Sequence, residues 1–145
     1  MPMVFIEDSG SYFEASLDRV WRLIEAHGKD GAKIHPGMKN MKLEMINDNT
    51  MINTYESDMK GQTIKNKIKN TMYHPAGMVL EMLEGPLAGS KFFNYFIPNG
   101  NRTGVTVVGE FKSTMMSDEQ IKQTVLSILE QVFNEDAAYL KTMPP

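Results

Sequence analysis

Alternating hydrophobic and polar residues run through the middle of the chain, from about Met41 to Thr114. Successive side chains of a strand point to opposite faces, so a two-residue period predicts strands with one buried and one exposed face. Turn sequences such as His74-Pro75-Ala76-Gly77 separate the segments and favour antiparallel hairpins. The pattern predicts six strands, at residues 41–46, 51–58, 63–73, 78–84, 91–97 and 104–113.

An additional strand is predicted before this region. Residues 4–15 include apolar and aromatic residues around a Ser9-Gly10-Ser11 interruption, which suggests an opening strand with a kink or bulge at the glycine. Ser16 is then a candidate N-cap for a short amphipathic helix. The helical spacing is given by Leu17, Val20, Trp21 and Ile24.

This first helix is expected to end near His27, because Gly28 is a stop signal. Another short helix fits around Ala32, before the turn sequence Pro36-Gly37. The sequence therefore predicts two short helices between the opening strand and the six-strand region.

The last part of the chain has a helical period. Ser117 as N-cap and Gln120 three residues later form a capping-box sequence, in which two side chains satisfy free backbone N–H groups. This predicts a long amphipathic helix at residues 118–141, whose apolar face needs the sheet as its partner. No repeat, low-complexity tract or linker interrupts residues 1–145, so a single α+β domain is expected.

In this order of elements the chain resembles the SRPBCC superfamily, which includes START-like, pollen-allergen-like and polyketide cyclase-like proteins. Residues 13–24 with the Val20-Trp21 pair, residues 81–89 and residues 104–112 also resemble it. The resemblance implies a helix-grip fold: a curved antiparallel sheet of about seven strands, two short helices and a long C-terminal helix. It also implies a pocket with its mouth near residues 28–39.

Members of that superfamily bind lipids, hormones or polyketides, cyclise aromatic polyketides, or act as co-chaperones, and the fold does not choose among these functions. A cone-shaped, nuclear-transport-factor-like fold is the competing architecture. It begins with helices and ends on strands, whereas this chain has the reverse order.

Composition excludes several classes of function. The formal net charge of -3 and the pI of about 5.6 disfavour a nucleic-acid partner. The chain has no cysteine, which excludes disulfides, thiolate metal ligands and cysteine nucleophiles. Residues 1–8 carry no export signal, and no apolar run reaches the roughly 18 residues of a membrane span. We therefore expect a cytoplasmic protein without stable membrane insertion.

Polar residues on otherwise apolar strand faces suggest a ligand pocket. A few hydrogen-bonding groups in an apolar lining orient a small molecule, although the same asparagines would equally suit a face in contact with water. Thirteen methionines fit an adaptable pocket and equally fit a composition bias. The candidate ligand-binding residues are Asn66, Asn70, Met78, Leu80, Met82, Phe92, Asn94 and Phe96 on strands and Val125, Leu129, Val132 and Phe133 on the last helix.

Signals for catalysis are weak, and no catalytic residue is assigned. His27, His35 and His74 are widely spaced, and no close histidine–carboxylate motif predicts a metal site. Phosphate-binding loops and serine nucleophile motifs are missing from the sequence, so no cofactor is expected. The acid/base candidates are His35 in the predicted pocket mouth, Tyr55, Tyr95 and Glu81, for each of which an exposed or structural role is the simpler interpretation.

The leading hypothesis is a carrier or sensor that holds a small hydrophobic molecule, lipid-like or polyketide-like, between the sheet and the last helix. One alternative is a polyketide cyclase- or dehydrase-like enzyme. Another is a co-chaperone-like interaction module with a filled core. An exposed apolar strand edge would also support a homodimer.

Overall fold

A computed structural model describes residues 3–145. Met1 and Pro2 lie outside the described residues. They belong to residues 1–8, in which no export signal was found in the sequence. The elements in chain order are β1 (Met3–Phe13), α1 (Leu17–Ile34), β2 (Lys39–Asn47), β3 (Thr50–Met59), β4 (Gln62–Tyr73), β5 (Gly77–Glu84), β6 (Lys91–Asn99), β7 (Arg102–Lys112) and α2 (Asp118–Leu140).

All seven strands form one antiparallel sheet in the order β1-β7-β6-β5-β4-β3-β2. Consecutive strands from β2 to β7 are neighbours, and β1 pairs with β7, so β1 and β2 form the two edges of the sheet. The predicted α+β class, the seven antiparallel strands and the long C-terminal helix are confirmed.

The opening strand bends where its sequence contains glycine. Gly10 has a φ of 97°, a conformation that side chains with a Cβ rarely adopt, and the pairing of β1 with β7 shifts register between Asp8 and Ser11. The predicted bulge is therefore present. Beyond it, Ser11 and Phe13 face the interior of the fold.

The prediction of two short helices is wrong. A single 18-residue helix, α1, runs through Gly28 and is kinked at Asp30, whose φ and ψ are non-helical. Glycine stops a helix only where the chain turns into a left-handed conformation, and Gly28 does not. The helix ends at Ile34, and its C-cap His35 is non-helical because proline, here Pro36, disfavours helical backbone in the residue before it.

Two apolar clusters hold the helices on the sheet. The first surrounds the buried Trp21, whose indole N–H donates to the carbonyl oxygen of Pro75 at 2.9 Å and whose ring meets Phe96 edge-on. The second surrounds Ile121 and Val125 of α2, which pack against Ile6, Leu87 and Phe111. The clusters lie at different ends of α2, and a cavity lies beside them against the sheet.

Neither helix among the described residues is long and apolar enough to cross a membrane.

Candidate functional site

A cavity of about 630 Å³ lies between the sheet and the two helices. Residues from all seven strands, from α1 and from α2 contribute to its lining. Ligand sites in proteins commonly have volumes of about 300–1,000 Å³, so this cavity has room for a small organic molecule.

Most of the lining is apolar, because the strands present alternate residues to the interior. On β5, for example, Met78 and Leu80 line the cavity whereas Leu83 is exposed on the other face of the sheet. Four of the thirteen methionines are in the lining, where unbranched side chains adapt to the shape of a ligand. They are Met38, Met41, Met51 and Met78.

Three asparagines place polar atoms in this apolar wall. The Oδ1 atoms of Asn53 on β3, Asn70 on β4 and Asn94 on β6 are buried, and among residues 3–145 none of them has a hydrogen-bond partner. A buried acceptor without a donor costs about 1–3 kcal/mol. The three asparagines line the cavity, so a ligand with N–H or O–H groups would satisfy an amide oxygen that turns toward it.

Two histidines and a carboxylate form a cluster in another part of the lining. His27 lies on α1, and His35 is the C-cap of this helix. Their Nε2 atoms lie 3.0 Å apart. Each lies 3.1 Å from Oδ1 of Asp136 on α2. His35 also donates through Nδ1 to Oε1 of Glu135 at 2.9 Å. All three members of the cluster line the cavity.

The charges in this cluster support one another. Burial by itself would lower the pKa of His35, but the carboxylates of Asp136 and Glu135 outweigh it, so the pKa lies above the ordinary 6.5. Burial would raise the pKa of Asp136, but its hydrogen bonds to His27 and His35 bring the pKa below the ordinary 3.8. Asp136 is therefore ionised at neutral pH, in contact with both imidazole rings.

The structure brings together eight of the twelve residues predicted to bind ligand. Asn70, Met78, Leu80, Asn94, Phe96, Leu129, Val132 and Phe133 line the cavity. Four lie elsewhere: Met82, Phe92 and Val125 belong to the second apolar cluster, and the amide of Asn66 donates to Ser57 Oγ at 2.8 Å and to the carbonyl of Ile64. The ligand-binding role of the eight stays a prediction.

Of the four acid/base candidates, only His35 lines the cavity. Tyr95 is 42% exposed and stacks on Phe93, and Glu81 is half-buried on β5 outside the cavity lining. Tyr55 is buried beyond the cavity lining, and burial raises the pKa of its phenol above 10.0.

Sequence analysis missed Asn53 and the histidine cluster for different reasons. Asn53 lies two residues after Met51, on the same face of β3. A polar residue on an apolar strand face is the signal that pointed to Asn70 and Asn94, so Asn53 could have been predicted from the sequence. No such signal exists for His27 and Asp136, which are 109 residues apart and meet only because α1 packs beside α2. His27 and His35 are eight residues apart in the chain, but their side chains are in contact in the structure.

No protein-family model matches the chain, and no curated protein matches it. Solved structures do. The Zhui aromatase/cyclase from Streptomyces sp. R1128 superposes with a TM-score of 0.76 at 12% identity, over 96% of this chain and 94% of that one. Ara h 8.0201 superposes with a TM-score of 0.79 at 12% identity, over 97% and 99%.

Norcoclaurine synthase from Thalictrum flavum, solved in complex with dopamine and hydroxybenzaldehyde, gives a TM-score of 0.68 at 15% identity, over 99% of this chain and 89% of that one. Together these likenesses show that the chain has the same helix-grip fold as these structures, the fold that the sequence resemblance implied. At such low identity they establish the fold alone.

Proposed function

We propose that the protein binds a small, mostly apolar molecule that carries hydrogen-bond donors, in the cavity between the sheet and α2. The observation that carries this proposal is the pairing of a cavity of about 630 Å³ with three buried, unpartnered asparagine oxygens in its wall. A pocket that is apolar overall and polar at a few fixed points is typical of small-molecule sites.

The two parts of the wall contribute differently to binding. Apolar burial supplies about 25 cal/mol for each Å² removed from water, before the ordering costs of association are subtracted. The amide oxygens of Asn53, Asn70 and Asn94 favour a ligand with donor groups. Each oxygen is an unsatisfied acceptor until a donor of the ligand reaches it. A pure hydrocarbon would leave all three unsatisfied.

Names of structural neighbours support this ligand class. Norcoclaurine synthase was solved with dopamine and hydroxybenzaldehyde, which are small aromatic molecules with donor groups. The filled core expected of a co-chaperone-like module, in contrast, is difficult to reconcile with an open cavity of this size.

An enzymatic function is the second candidate, and the position of His35 favours it. His35 lies in the cavity wall, where its hydrogen bond to Glu135 and its 3.1 Å contact with Asp136 hold the ring in one orientation. A bound molecule that displaced one of these partners could exchange a proton with the ring. A cyclase- or dehydrase-like reaction would use such a group. Turnover of an identified ligand would distinguish this function from binding alone.

Ligand binding is tested by native mass spectrometry of purified protein, followed by extraction and identification of any molecule that dissociates. An apolar fluorescent probe then reports on the cavity in two matched variants of β5. Leu80→Trp places a larger side chain in the cavity, and Leu83→Trp places the same side chain on the exposed face.

We expect the probe to bind the parent protein and the Leu83→Trp variant, and to lose most of its affinity for Leu80→Trp. Equal binding by all three proteins would show that the probe sits outside the cavity. A clean apo mass together with no probe binding would contradict the proposed function.

A further inference from the structure

The cluster of His27, His35 and Asp136 brings three possible metal-ligand atoms close together. The three separations between His27 Nε2, His35 Nε2 and Asp136 Oδ1 are 3.0, 3.1 and 3.1 Å, so the atoms form a nearly equilateral triangle. His35 is buried, and the other two side chains are partly buried.

Hydrogen bonds on the far side of each ring determine where the ring protons lie. Nδ1 of His27 lies 2.9 Å from the carbonyl oxygen of Leu23, and Nδ1 of His35 lies 2.9 Å from Oε1 of Glu135. Both of these oxygens are acceptors, so each Nδ1 carries a proton and donates it. In each ring Nε2 is therefore the nitrogen that can bind a metal ion.

Zinc and iron bind through a lone pair on each ligand atom, which two imidazole nitrogens and one carboxylate oxygen can supply. One divalent cation would contact all three atoms at once, because their separations are nearly equal at 3.0, 3.1 and 3.1 Å.

We propose that His27, His35 and Asp136 bind one divalent first-row transition-metal ion, such as Zn²⁺ or Fe²⁺, in the wall of the cavity. Two imidazole nitrogens and one carboxylate oxygen are the ligand set that these ions take on one face, leaving other positions open. With metal–ligand distances of about 2.0–2.1 Å, the observed separations give angles of about 95° at the ion, close to those of an octahedral face.

The surroundings of the cluster fit this assignment. A metal-bound histidine usually donates the N–H of its other ring nitrogen to a carboxylate or a backbone carbonyl, which holds the ring in place. Here the carboxylate of Glu135 accepts from His35, and the backbone carbonyl of Leu23 accepts from His27. Because all three ligand residues line the cavity, the open positions of the ion face the space in which a small molecule would bind.

The first experiment needs no variant and no organic ligand. Tag-free protein stripped with a chelator is titrated with Zn²⁺, and binding is followed by calorimetry and by the imidazole resonances in NMR spectra. We expect one ion per chain, with the His27 and His35 resonances perturbed and those of His74 unchanged. His74 is exposed, contacts the ring of Trp21 and is not a member of the cluster, so it serves as an internal control.

Variants of similar shape identify the ligands. His27→Gln, His35→Gln and Asp136→Asn should each abolish stoichiometric Zn²⁺ binding, and His74→Gln should leave it unchanged. Glu135→Gln should weaken it by about 10–100-fold, as expected for a residue that orients a ligand without touching the ion. Circular dichroism checks that each variant is folded.

Absence of Zn²⁺, Co²⁺ and Fe²⁺ binding by the folded parent protein would overturn the proposal and leave a proton-sharing cluster as its replacement. Binding that persists unchanged in Asp136→Asn and His35→Gln would also overturn it. Failure of the ligand-binding proposal would leave this result intact, because the titration uses the metal alone.

Discussion

Arg19, in the first turn of α1, donates from Nη2 to the backbone carbonyl of Leu140 at the end of α2, at 2.8 Å. The same nitrogen donates to the carbonyl of Met143 at 2.9 Å. The last carbonyls of a helix have no partner within the helix and carry partial negative charge, and α2 has no basic residue of its own in its last turn. A residue 121 positions earlier in the chain therefore caps the C-terminal helix.

We expect Arg19→Ala to lower the free energy of unfolding by about 1.5–3 kcal/mol, because two hydrogen bonds from a charged donor are lost. Arg22→Ala is the matched control, since Arg22 is exposed on the same helix, and its effect should stay within about 0.5 kcal/mol. Urea unfolding followed by fluorescence of Trp21, the only tryptophan, measures both. Equal destabilisation by the two variants would contradict the capping role.

The capping box of α2 gives a second stability prediction. Ser117 accepts from the backbone N–H of Gln120, and the Gln120 side chain accepts from the backbone N–H of Ser117. Ser117→Ala should cost about 1 kcal/mol in thermal or urea unfolding. Ser127→Ala, at an exposed position inside the helix, should cost nothing, because alanine has the higher helix propensity.

Neighbouring residues of α2 should differ in their response to truncation. Val125 is 2% exposed within the second apolar cluster, whereas Leu126 is 36% exposed at the rim of the cavity. We expect Val125→Ala to lower the free energy of unfolding by about 2 kcal/mol and Leu126→Ala by less than about 1 kcal/mol. A larger loss for Leu126, measured in urea, would mean that the cavity rim is part of the packed core.

Replacing a cavity asparagine should separate stability from binding. The Oδ1 atom of Asn94 is buried without a partner among the described residues, so Asn94→Leu should stabilise the ligand-free protein or leave its unfolding unchanged. The same change should weaken a donor-bearing ligand by about tenfold, because one hydrogen bond is worth about 1 kcal/mol or more. Calorimetry with the extracted ligand measures this loss.

Asn66→Leu is the control for that experiment. The amide of Asn66 is paired with Ser57 and Ile64 and lies outside the cavity lining, so this substitution should destabilise the fold. Ligand affinity should not change. If Asn66→Leu lowered affinity and Asn94→Leu did not, the assignment of polar groups to the site would be reversed.

Local sequence determined the elements of this protein. The two-residue period from Met41 to Thr114 identified six strands to within a few residues, and Ser117 with Gln120 identified the start of α2. These signals are readable because strand alternation and helix capping involve residues close together in the chain. The same reasoning misplaced the end of the first helix at Gly28, because α1 continues past this glycine and is interrupted only by a kink at Asp30.

Only the tertiary structure decided which faces form the site. Strand register places Asn53, Asn70 and Asn94 in one wall while Asn66, on the same strand as Asn70, pairs with Ser57 instead. The packing of α1 beside α2 brings His27 and His35 to Asp136. Neither outcome has a local signal, because the partners lie on separate elements, and their distances depend on how the whole sheet and both helices pack around the cavity.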